Sequence, residues 1–328
     1  MNAVNTKPVV SIISLTYNQE NYVRDCFEGF LMQQTSFPFE VLVYDDASTD
    51  ATPEIIRQYA VEYPDIFKPT LYKENNYSRG LGYMGLYDGI KNAHGKYVAY
   101  CEGDDYWTDP LKLQKQVDFL NSHPEYEICA NEIRIKNDRY KPLDGLLFSQ
   151  FCKNLFVSTT KKHYSFEDAL TGNIFHTSSL MYKNFDIILP DWIHRVSAFD
   201  MVFYMILAKE GDMFVMPEVM GVYRSHSQSL TNTQSEYASP LAFYELSLNI
   251  LRLMNRFWGR QYQDKIYPLI SRYYVECMME CLHKRRLDKK KAKQMARMAW
   301  CYDKRTASKY ITKELFNKFL RRYYGKVK

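Results

Sequence analysis

The sequence predicts an α/β fold with a mainly parallel central sheet, followed by a helical C-terminal region. Short runs of β-branched and aromatic residues alternate with segments of helical periodicity in the first part of the chain. Polar clusters follow these apolar runs directly, as they do at the carboxyl ends of parallel strands. After about residue 240 the periodicity is helical throughout, with Lys and Arg among Tyr, Leu, Met and Trp. We therefore expect two regions, 1–240 and 241–328.

Two strand–helix pairs open the first region. The β-branched run at 9–15 predicts a strand, and apolar residues at helical spacing over 22–31 predict the helix that follows. The pattern returns with a strand at 39–44 and a helix at 52–63, where Pro53 stands in the first helical turn. These pairs are typical of a parallel sheet.

Further elements continue the alternation. The runs at 67–73 and 96–101 predict the third and fourth strands, with a helix near 84–93 between them. Pro110 opens an amphipathic helix, and a short strand is expected near 213–216. Ligands of such sheets bind at the carboxyl ends of the strands, so polar residues at those ends are the first candidates for a site.

Composition excludes several classes of protein. The 328 residues are 46 % hydrophobic, which is enough for a core and argues against disorder. No run of about eighteen uncharged apolar residues predicts a membrane span, and no secretory leader is recognisable, so we expect a cytoplasmic protein. Seven cysteines without a Cys-x-x-Cys pair are expected to be reduced thiols.

Charge is divided unevenly along the chain. Residues 1–240 carry 21 Lys and Arg against 31 Asp and Glu, a net charge of −10, while residues 241–328 carry 22 against 7, a net charge of +15. A basic helical region favours anionic partners such as membrane surfaces. We therefore expect peripheral membrane contact through the C-terminal helices, at the inner face of the membrane.

Asp104 and Asp105 follow the fourth predicted strand. Adjacent carboxylates repel each other unless a cation or strong donors hold them, and hard oxygen ligands favour Mg²⁺ or Mn²⁺. The alternative is a turn whose acids cap the helix at Pro110. From the residues alone, both interpretations stay open.

Asp45 and Asp46 repeat this arrangement after the second strand. An acid there accepts hydrogen bonds from a ribose hydroxyl or a base imide N–H in other nucleotide-binding sheets. Helix capping is again the alternative, although the segment 47–50 already supplies several capping groups.

A glycine motif at 80–85 matches G-x-G-x-x-G, the pattern of dinucleotide-binding folds. That motif must follow its strand directly, whereas six residues, 74–79, intervene here. We therefore do not interpret it as a dinucleotide site.

Three further side chains are candidates downstream. Asp200 stands at the start of an apolar helical run, where it suits either a general base or an N-cap. Arg224 is placed to neutralise a diphosphate, and His226 is a candidate metal ligand or phosphate contact. A lone histidine is more often a hydrogen-bonded or surface residue.

In order, these segments resemble the family 2 glycosyltransferases, enzymes of the GT-A fold. The resemblance covers roughly residues 8–232 and rests on 10–18 (VSIISLTYN), 39–50 (FEVLVYDDASTD), 95–105 (GKYVAYCEGDD), and Asp200 with its helix. Its specificity comes from four separate segments that keep their order and spacing.

The resemblance implies roles for individual residues. The nucleotide-binding residues that it implies are Thr16, Tyr17, Asn18, Asp45, Asp46, Arg79 and Asp104. It implies a divalent metal, Mn²⁺ or Mg²⁺, with Asp105 as the direct ligand. We expect Asp104 and the candidate ligand His226 to complete the metal site. The family's Asp-x-Asp motif begins here with Glu102 in place of the usual aspartate. Asp200 is the expected general base, although the family usually has an acidic residue before it where this chain has Phe199.

The implied reaction moves a sugar from a nucleotide-diphosphate donor, expected to be a UDP-sugar, to an acceptor hydroxyl with inversion. We expect a glycan or lipid-linked acceptor and a role in surface or capsular polysaccharide synthesis. Trp107 either covers a sugar face or packs in the core.

Two alternatives come from other classes of protein. A sugar nucleotidyltransferase would carry a glycine-rich, basic loop after the first strand, where this chain has Thr16, Tyr17 and Asn18. A non-catalytic polyanion-binding protein would depend on the basic region, but the charge of −10 on residues 1–240 argues against it, and we expect no nucleic-acid partner.

Overall fold

A computed structural model of the chain describes residues 7–137, 144–152, 161–172, 174–196, 198–227, 229, 239–282 and 288–313. Contacts divide the chain into two compact units, Met1–Ser227 and Gln228–Lys328. Among the described residues, no helix has both the length and the hydropathy needed to cross a membrane.

The first unit alternates strands and helices, as the sequence predicts. Its strands are β1 (Val10–Thr16), β2 (Phe39–Asp45), β3 (Phe67–Leu71), β4 (Tyr97–Tyr100), β5 (Tyr106–Trp107), β6 (Tyr126–Asn137), β7 (His163–Tyr164), β8 (Met181–Lys183) and β9 (Asp212–Ser225). Its helices are α1 (Val23–Leu31), α2 (Thr52–Glu62), α3 (Met84–Asn92), α4 (Lys112–Ser122), α5 (Phe148–Cys152), α6 (Phe166–Ala169) and α7 (Phe199–Ala208).

In the described part of the chain these strands form one nine-stranded sheet in the order β3-β2-β1-β4-β8-β6-β9-β5, with β7 paired to β9. The four strands β3, β2, β1 and β4 are parallel, and β6 is parallel to β9. Strands β5, β7 and β8 pair antiparallel with their neighbours. The prediction of an α/β fold is confirmed.

Helices cover both faces of the sheet. On one face Ile12 and Val41 pack with α1 and α2 residues such as Phe27 and Ile56. On the other, Ile13 packs with side chains of α3 and α7. This two-sided burial explains why the central strands are continuous apolar runs rather than alternating ones.

The structure differs from the sequence prediction at some boundaries. Helix α4 begins at Lys112, two positions after Pro110, and β3 ends at Leu71. The short strand expected at 213–216 is instead the long strand β9, with register shifts against β6 after Asn131 and after Glu132. Pro217 lies at this irregularity, and a proline there hides the strand periodicity from the sequence.

The second unit is helical in its described part. It contains α8 (Pro240–Phe257), α9 (Gln263–Cys281) and α10 (Lys289–Tyr302), and residues 304–313 are helical as well. Helix α9 packs against both α8 and α10. Ser239 caps α8 through its hydroxyl, and Asp288 caps α10 through its carboxylate, as their residue types favour.

Candidate active site

The parallel register brings the polar ends of β1 and β2 together. Thr16 stands opposite Asp45, and its hydroxyl donates to Asp45 Oδ1 at 2.9 Å. Ser48 also donates to Asp45, through its backbone N–H at 2.9 Å and its hydroxyl at 2.5 Å. The Asp45 carboxylate is therefore buried among three donors and orders the loop after β2.

Asn18 ties the loop after β1 to the loop after β2. Its backbone N–H donates to Ser48 Oγ at 2.8 Å, and its Oδ1 accepts the backbone N–H of Thr49 at 2.8 Å. Asn18 adopts φ of 51° and Ala47 adopts φ of 60°, both in the left-handed region. Asparagine tolerates this conformation, whereas alanine is strained by it, and such strain persists only where the surroundings enforce it.

Asp46 connects β2 to the segment before α3. Its two carboxylate oxygens accept the backbone N–H groups of Asn76 at 2.7 Å and Tyr77 at 2.9 Å. Tyr17 and Tyr77 are both about half exposed at this end of the sheet. Arg79 lies two residues further on, where it forms an exposed ion pair with Glu74 at 2.7 Å.

An acidic cluster lies after β4. Glu102, Asp105 and His176 each offer a ligand atom, and these atoms lie within 4.8 Å of one another. Asp105 Oδ2 is 3.5 Å from His176 Nδ1, and Thr177 donates its hydroxyl to Glu102 Oε2 at 3.0 Å. At the intervening Gly103, a Cβ would lie 2.7 Å from the Thr16 side chain, so glycine permits this close approach to β1.

Burial governs the protonation of this cluster. Burial, followed by the nearby charge of Asp104, raises the pKa of Glu102 to about 8. Burial and the charges of Asp104 and Glu102 raise the pKa of Asp105 well above its usual value. Burial lowers the pKa of His176 to about 3, so its contact with Asp105 joins a neutral imidazole to the acid. The charges of Glu102, Asp104 and Asp105 oppose one another, and a bound divalent ion would offset this repulsion.

The donor set fits a divalent ion. Carboxylate oxygens suit Mg²⁺ and Mn²⁺, and a neutral imidazole nitrogen is a ligand for Mn²⁺ and related metals. Glu102 and Asp105 supply the oxygens and His176 supplies the nitrogen.

Asp104 turns toward the end of β9. Its Oδ2 lies 3.0 Å from His226 Nε2, and its backbone carbonyl accepts Arg224 Nη1 at 3.3 Å. The backbone N–H of Arg224 donates to Asp105 Oδ1 at 2.9 Å, and its guanidinium also pairs with Asp25. The end of β9 therefore holds both adjacent acids in place.

Asp200 lies in the first turn of α7, and its charge acts on the same group of side chains. Its charge contributes to the raised pKa of Glu102, and also to the raised pKa values of Tyr100 and Tyr204, for which burial is the larger cause. The side chain of Asp200 is half-buried. A carboxylate at a helix start beside buried tyrosines suits proton transfer.

Most of the residues singled out in the sequence thus meet at one end of the sheet. Asp104, Asp105 and His226 form one group with Arg224, Asp200 lies near Glu102, and Asn18, Asp45 and Asp46 organise the neighbouring loops. His226 contacts Asp104, while His176 is the histidine beside Asp105.

Sequence reasoning missed His176 and Thr177. They lie in a short polar run, 176–179, between apolar segments, and this run forms the turn before β8. The polar run itself was the available signal. From the sequence, Trp107 either covers a sugar face or packs in the core. It is buried, and its Nε1–H donates to Ser178 O at 2.8 Å, so it belongs to the core.

Comparisons with known proteins place the chain in a family. A model of the glycosyl transferase family 2 matches residues 11–188. An uncharacterized protein of Mycobacterium tuberculosis is 38 % identical over 237 residues, covering 72 % of this chain but 64 % of that protein. The putative teichuronic acid biosynthesis glycosyltransferase TuaG of Bacillus subtilis is 26 % identical over 265 residues, covering 77 % of this chain and 94 % of TuaG.

Solved structures share the fold. Residues 1–349 of TarS from Staphylococcus aureus, in complex with UDP-GlcNAc, superpose with a TM-score of 0.62 at 19 % identity, over 90 % of this chain and 82 % of that one. The mannosyltransferase PcManGT of Pyrobaculum calidifontis, in complex with GDP-Man and Mn²⁺, superposes with a TM-score of 0.52 at 18 % identity. The match covers 96 % of this chain and 89 % of that one. Because the family model spans more than half of the chain, the chain belongs to glycosyl transferase family 2, and it shares the GT-A fold of these solved structures.

Proposed function

We propose that the protein transfers a sugar from a nucleotide-diphosphate donor, a UDP-sugar, to an acceptor hydroxyl with inversion at the anomeric carbon. The observation that carries this proposal is the cluster of Glu102, Asp105 and His176 in the electrostatic environment of Asp200. One set of acids is suited to binding a cation, and a separate acid is suited to accepting a proton. An inverting transfer needs both and needs no covalent enzyme intermediate.

The donor nucleotide is proposed to lie over the ends of β1 and β2. Thr16 and Asp45 order the floor of this site, Asn18 joins its two loops, and the half-exposed Tyr17 and Asp46 face the base and ribose. Asp104 would contact the ribose or phosphates, and Arg79 would meet the diphosphate. UDP is the proposed nucleotide because TarS, which shares the fold, binds UDP-GlcNAc.

Asp105 is the proposed principal ligand of Mn²⁺ or Mg²⁺, with Glu102 and His176 beside it and Asp104 and His226 within the same site. When bound, the ion would offset negative charge on the departing diphosphate. Arg224, held against both aspartates, adds a fixed positive charge at the same place.

Asp200 is the proposed general base. Its carboxylate would take the proton of the acceptor hydroxyl while that oxygen attacks the anomeric carbon from the face opposite the diphosphate. Asp200 lies in the first turn of α7, where the helix dipole favours a negative charge on a side chain that is to accept this proton.

The proposed acceptor is a glycan or a lipid-linked glycan in surface or capsular polysaccharide synthesis. TuaG, which covers most of this chain, is named for teichuronic acid biosynthesis. We propose that the protein works at the cytoplasmic face of a membrane, which its basic helices contact. Helix α10 carries five basic residues and no acidic one, and its Lys290, Lys293 and Arg297 are exposed on one face with Trp300. Nucleic acid is not among the proposed partners.

A panel of nucleotide sugars with Mn²⁺ or Mg²⁺ tests the proposal. We expect the wild-type protein to release nucleotide diphosphate from at least one UDP-sugar only when metal is present. We expect Asp105→Ala to lose this release, and Asp118→Ala, an exposed acid on α4, to keep it. Metal-independent release, or equal release by Asp105→Ala, would overturn the proposal.

A further inference from the structure

We infer that Lys112 and Gln116, two buried residues of α4, are positioning residues for the proposed metal site. They act through the turn that carries His176 and Thr177, and they are not ligands themselves. The inference rests on the proposed function, since it explains what sets the geometry of the metal ligands named there.

The turn that begins after His176 contacts both acids of the cluster. Thr177, its first residue, donates its hydroxyl to Glu102 Oε2 at 3.0 Å. His176 Nδ1 lies 3.5 Å from Asp105 Oδ2. A metal binds well only where the surrounding structure holds its ligands to within about 0.5 Å of the required geometry. The position of this turn therefore sets the distances among the three ligand atoms.

The Gln116 side chain joins this turn to β6. Its Nε2 donates to Ser179 O, in the turn, at 2.9 Å and to Cys129 O, in β6, at 3.1 Å. These two bonds use both hydrogens of the amide nitrogen, and carbonyl oxygens only accept. The opposite orientation of the amide would place Oε1 against two carbonyl oxygens. Only one orientation of Gln116 therefore holds the turn.

Lys112 completes the hydrogen bonding of this amide. Its Nζ donates to Gln116 Oε1 at 2.7 Å, four residues further along the same helix. Both side chains are fully buried, so bulk water does not reach them. A lysine amine donates whether it is protonated or neutral. Lys112 thus supplies the donor that the one productive orientation of Gln116 requires.

Lys112 also contacts the second side chain that binds the turn. Its Nζ lies 4.2 Å from the centroid of the Trp107 ring, and Trp107 Nε1 donates to Ser178 O at 2.8 Å. Two consecutive carbonyls of the turn, those of Ser178 and Ser179, are thus bound by neighbours of one lysine. A methionine of similar length would fill this space without the cost of burying an amine. The hydrogen bond to Gln116 is the contribution that an apolar side chain would not make.

Mn²⁺ binding to the full-length protein tests the inference. Free Mn²⁺ is measured by its EPR signal during titrations at one fixed concentration of UDP, and thermal unfolding is followed on the same samples. Lys112→Met removes the donor to the amide, and Gln116→Met removes the amide itself. A merely destabilised protein would bind fewer ions per chain at saturation, with an unchanged dissociation constant.

Gln33→Met is the matched control. Gln33 is also buried, and its Nε2 also bonds two carbonyls, Gly29 O at 3.1 Å and Asp109 O at 2.9 Å. Its Oε1 accepts the backbone N–H of Leu113, in α4, at 3.1 Å. This amide supports α4 as Gln116 does, but these partners lie outside the His176 turn.

We expect the dissociation constant for Mn²⁺ to rise at least about tenfold in Lys112→Met and in Gln116→Met, as for other residues that orient metal ligands. It should keep its wild-type value in Gln33→Met, even where the unfolding temperature falls as far. An unchanged dissociation constant in either α4 variant, or an equal rise in the control, would overturn the inference and leave the metal site standing. If the wild type bound no Mn²⁺ beyond that held by UDP alone, the metal site of the proposed function would fall together with the inference.

Discussion

At the residue scale, the loops of the candidate nucleotide site are shaped by single side chains that bind the backbone. Asn18 accepts the Thr49 N–H while its own backbone stands in the left-handed region, at φ of 51°. Asp46 accepts two backbone N–H groups from the segment before α3. These contacts order the loops before any ligand arrives, which lowers the entropic cost of binding.

Two substitutions separate the roles of the Asn18 side chain and backbone. Asn18→Gly loses the hydrogen bond but keeps the left-handed conformation, whereas Asn18→Ala loses both. We expect the free energy of unfolding of Asn18→Ala to be about 1 kcal/mol below that of Asn18→Gly, as measured by urea unfolding. We also expect both variants to bind UDP more weakly than the wild type. Equal stability of the two variants would contradict the backbone part of this account.

Some residues of the candidate site could be predicted from the sequence, and others could not. Asp104, Asp105 and Asp200 were predictable because acids at strand ends or helix starts, next to apolar runs, are visible locally. The pairing of Asp105 with His176 was not, because the two residues are far apart in the chain and meet only when β8 pairs with β4. A short polar run carries no sign of the strand against which it will pack.

At the element scale, side chains of β5 and α4 form hydrogen bonds with the turn that carries His176. Trp107 Nε1 donates to Ser178 O at 2.8 Å, and Gln116 Nε2 donates to Ser179 O at 2.9 Å. Both side chains are almost fully buried. The core on this side of the sheet therefore positions the acidic cluster, although neither residue belongs to it.

Removing the indole N–H should loosen this turn. In Trp107→Phe, the Ser178 carbonyl loses its buried donor, so we expect the free energy of unfolding to fall by about 1–3 kcal/mol. We expect metal-dependent donor turnover to fall as well. Trp300→Phe, at an exposed position, is the matched control and should change neither quantity. If donor turnover in Trp107→Phe equals that of the control, the positioning role is wrong.

Lys112 makes the stability of the folded protein depend on pH. The side chain is fully buried, with Nζ 4.2 Å from the Trp107 ring centroid and 2.7 Å from Gln116 Oε1. Burial lowers the pKa of Lys112 from 10.5 to about 7. Between these two values the unfolded chain binds more protons than the folded one, so the lysine's contribution to stability should rise with pH.

The substitution Lys112→Met isolates this effect. We expect the free energy of unfolding of the wild type, relative to that of Lys112→Met, to increase from about pH 7 to about pH 10 and to be constant below pH 7. Chemical unfolding across that pH range measures it. Lys115→Met, which removes a half-exposed lysine on the same helix, should show no such rise. A flat difference for Lys112→Met would contradict the account.

Some strands were easier to predict from the sequence than others. Strands β1, β2 and β4 were predictable because buried parallel strands are continuous β-branched runs. Strand β9 was expected only as a short piece, because its irregularity near Pro217 breaks the periodicity that the rest of the strand follows. The register shift belongs to the pairing of β9 with β6, a strand distant in sequence, so the local pattern alone does not contain it.

At the scale of the whole molecule, charge is the feature that distinguishes the two parts of the chain. Residues 1–240 have a net charge of −10, and residues 241–328 have +15. Helix α10 concentrates this difference on an exposed face with Trp300, an arrangement that suits the headgroup region of an anionic bilayer.

Charge reversal tests the membrane proposal on the full-length protein. We expect the wild type to float with vesicles that contain phosphatidylglycerol, and to stay behind when only phosphatidylcholine is present. The triple variant Lys290→Glu, Lys293→Glu, Arg297→Glu should lose flotation, because each basic residue near the surface contributes about 1 kcal/mol. The control variant reverses three exposed basic residues of the first unit, namely Arg57, Lys68 and Lys91. Equal flotation of the two triple variants would remove α10 from the proposal.

In the proposed function, one group of acids binds the metal and the donor, while a different acid takes the proton of the acceptor. The most direct test compares UDP affinity in Mn²⁺ with transfer activity for Asp105→Ala and Asp200→Asn. We expect Asp105→Ala to lose the metal-dependent part of UDP binding. We expect Asp200→Asn to bind UDP like the wild type and to lose transfer activity by at least about 100-fold. Full transfer activity in Asp200→Asn, or unchanged metal-dependent UDP binding in Asp105→Ala, would contradict it.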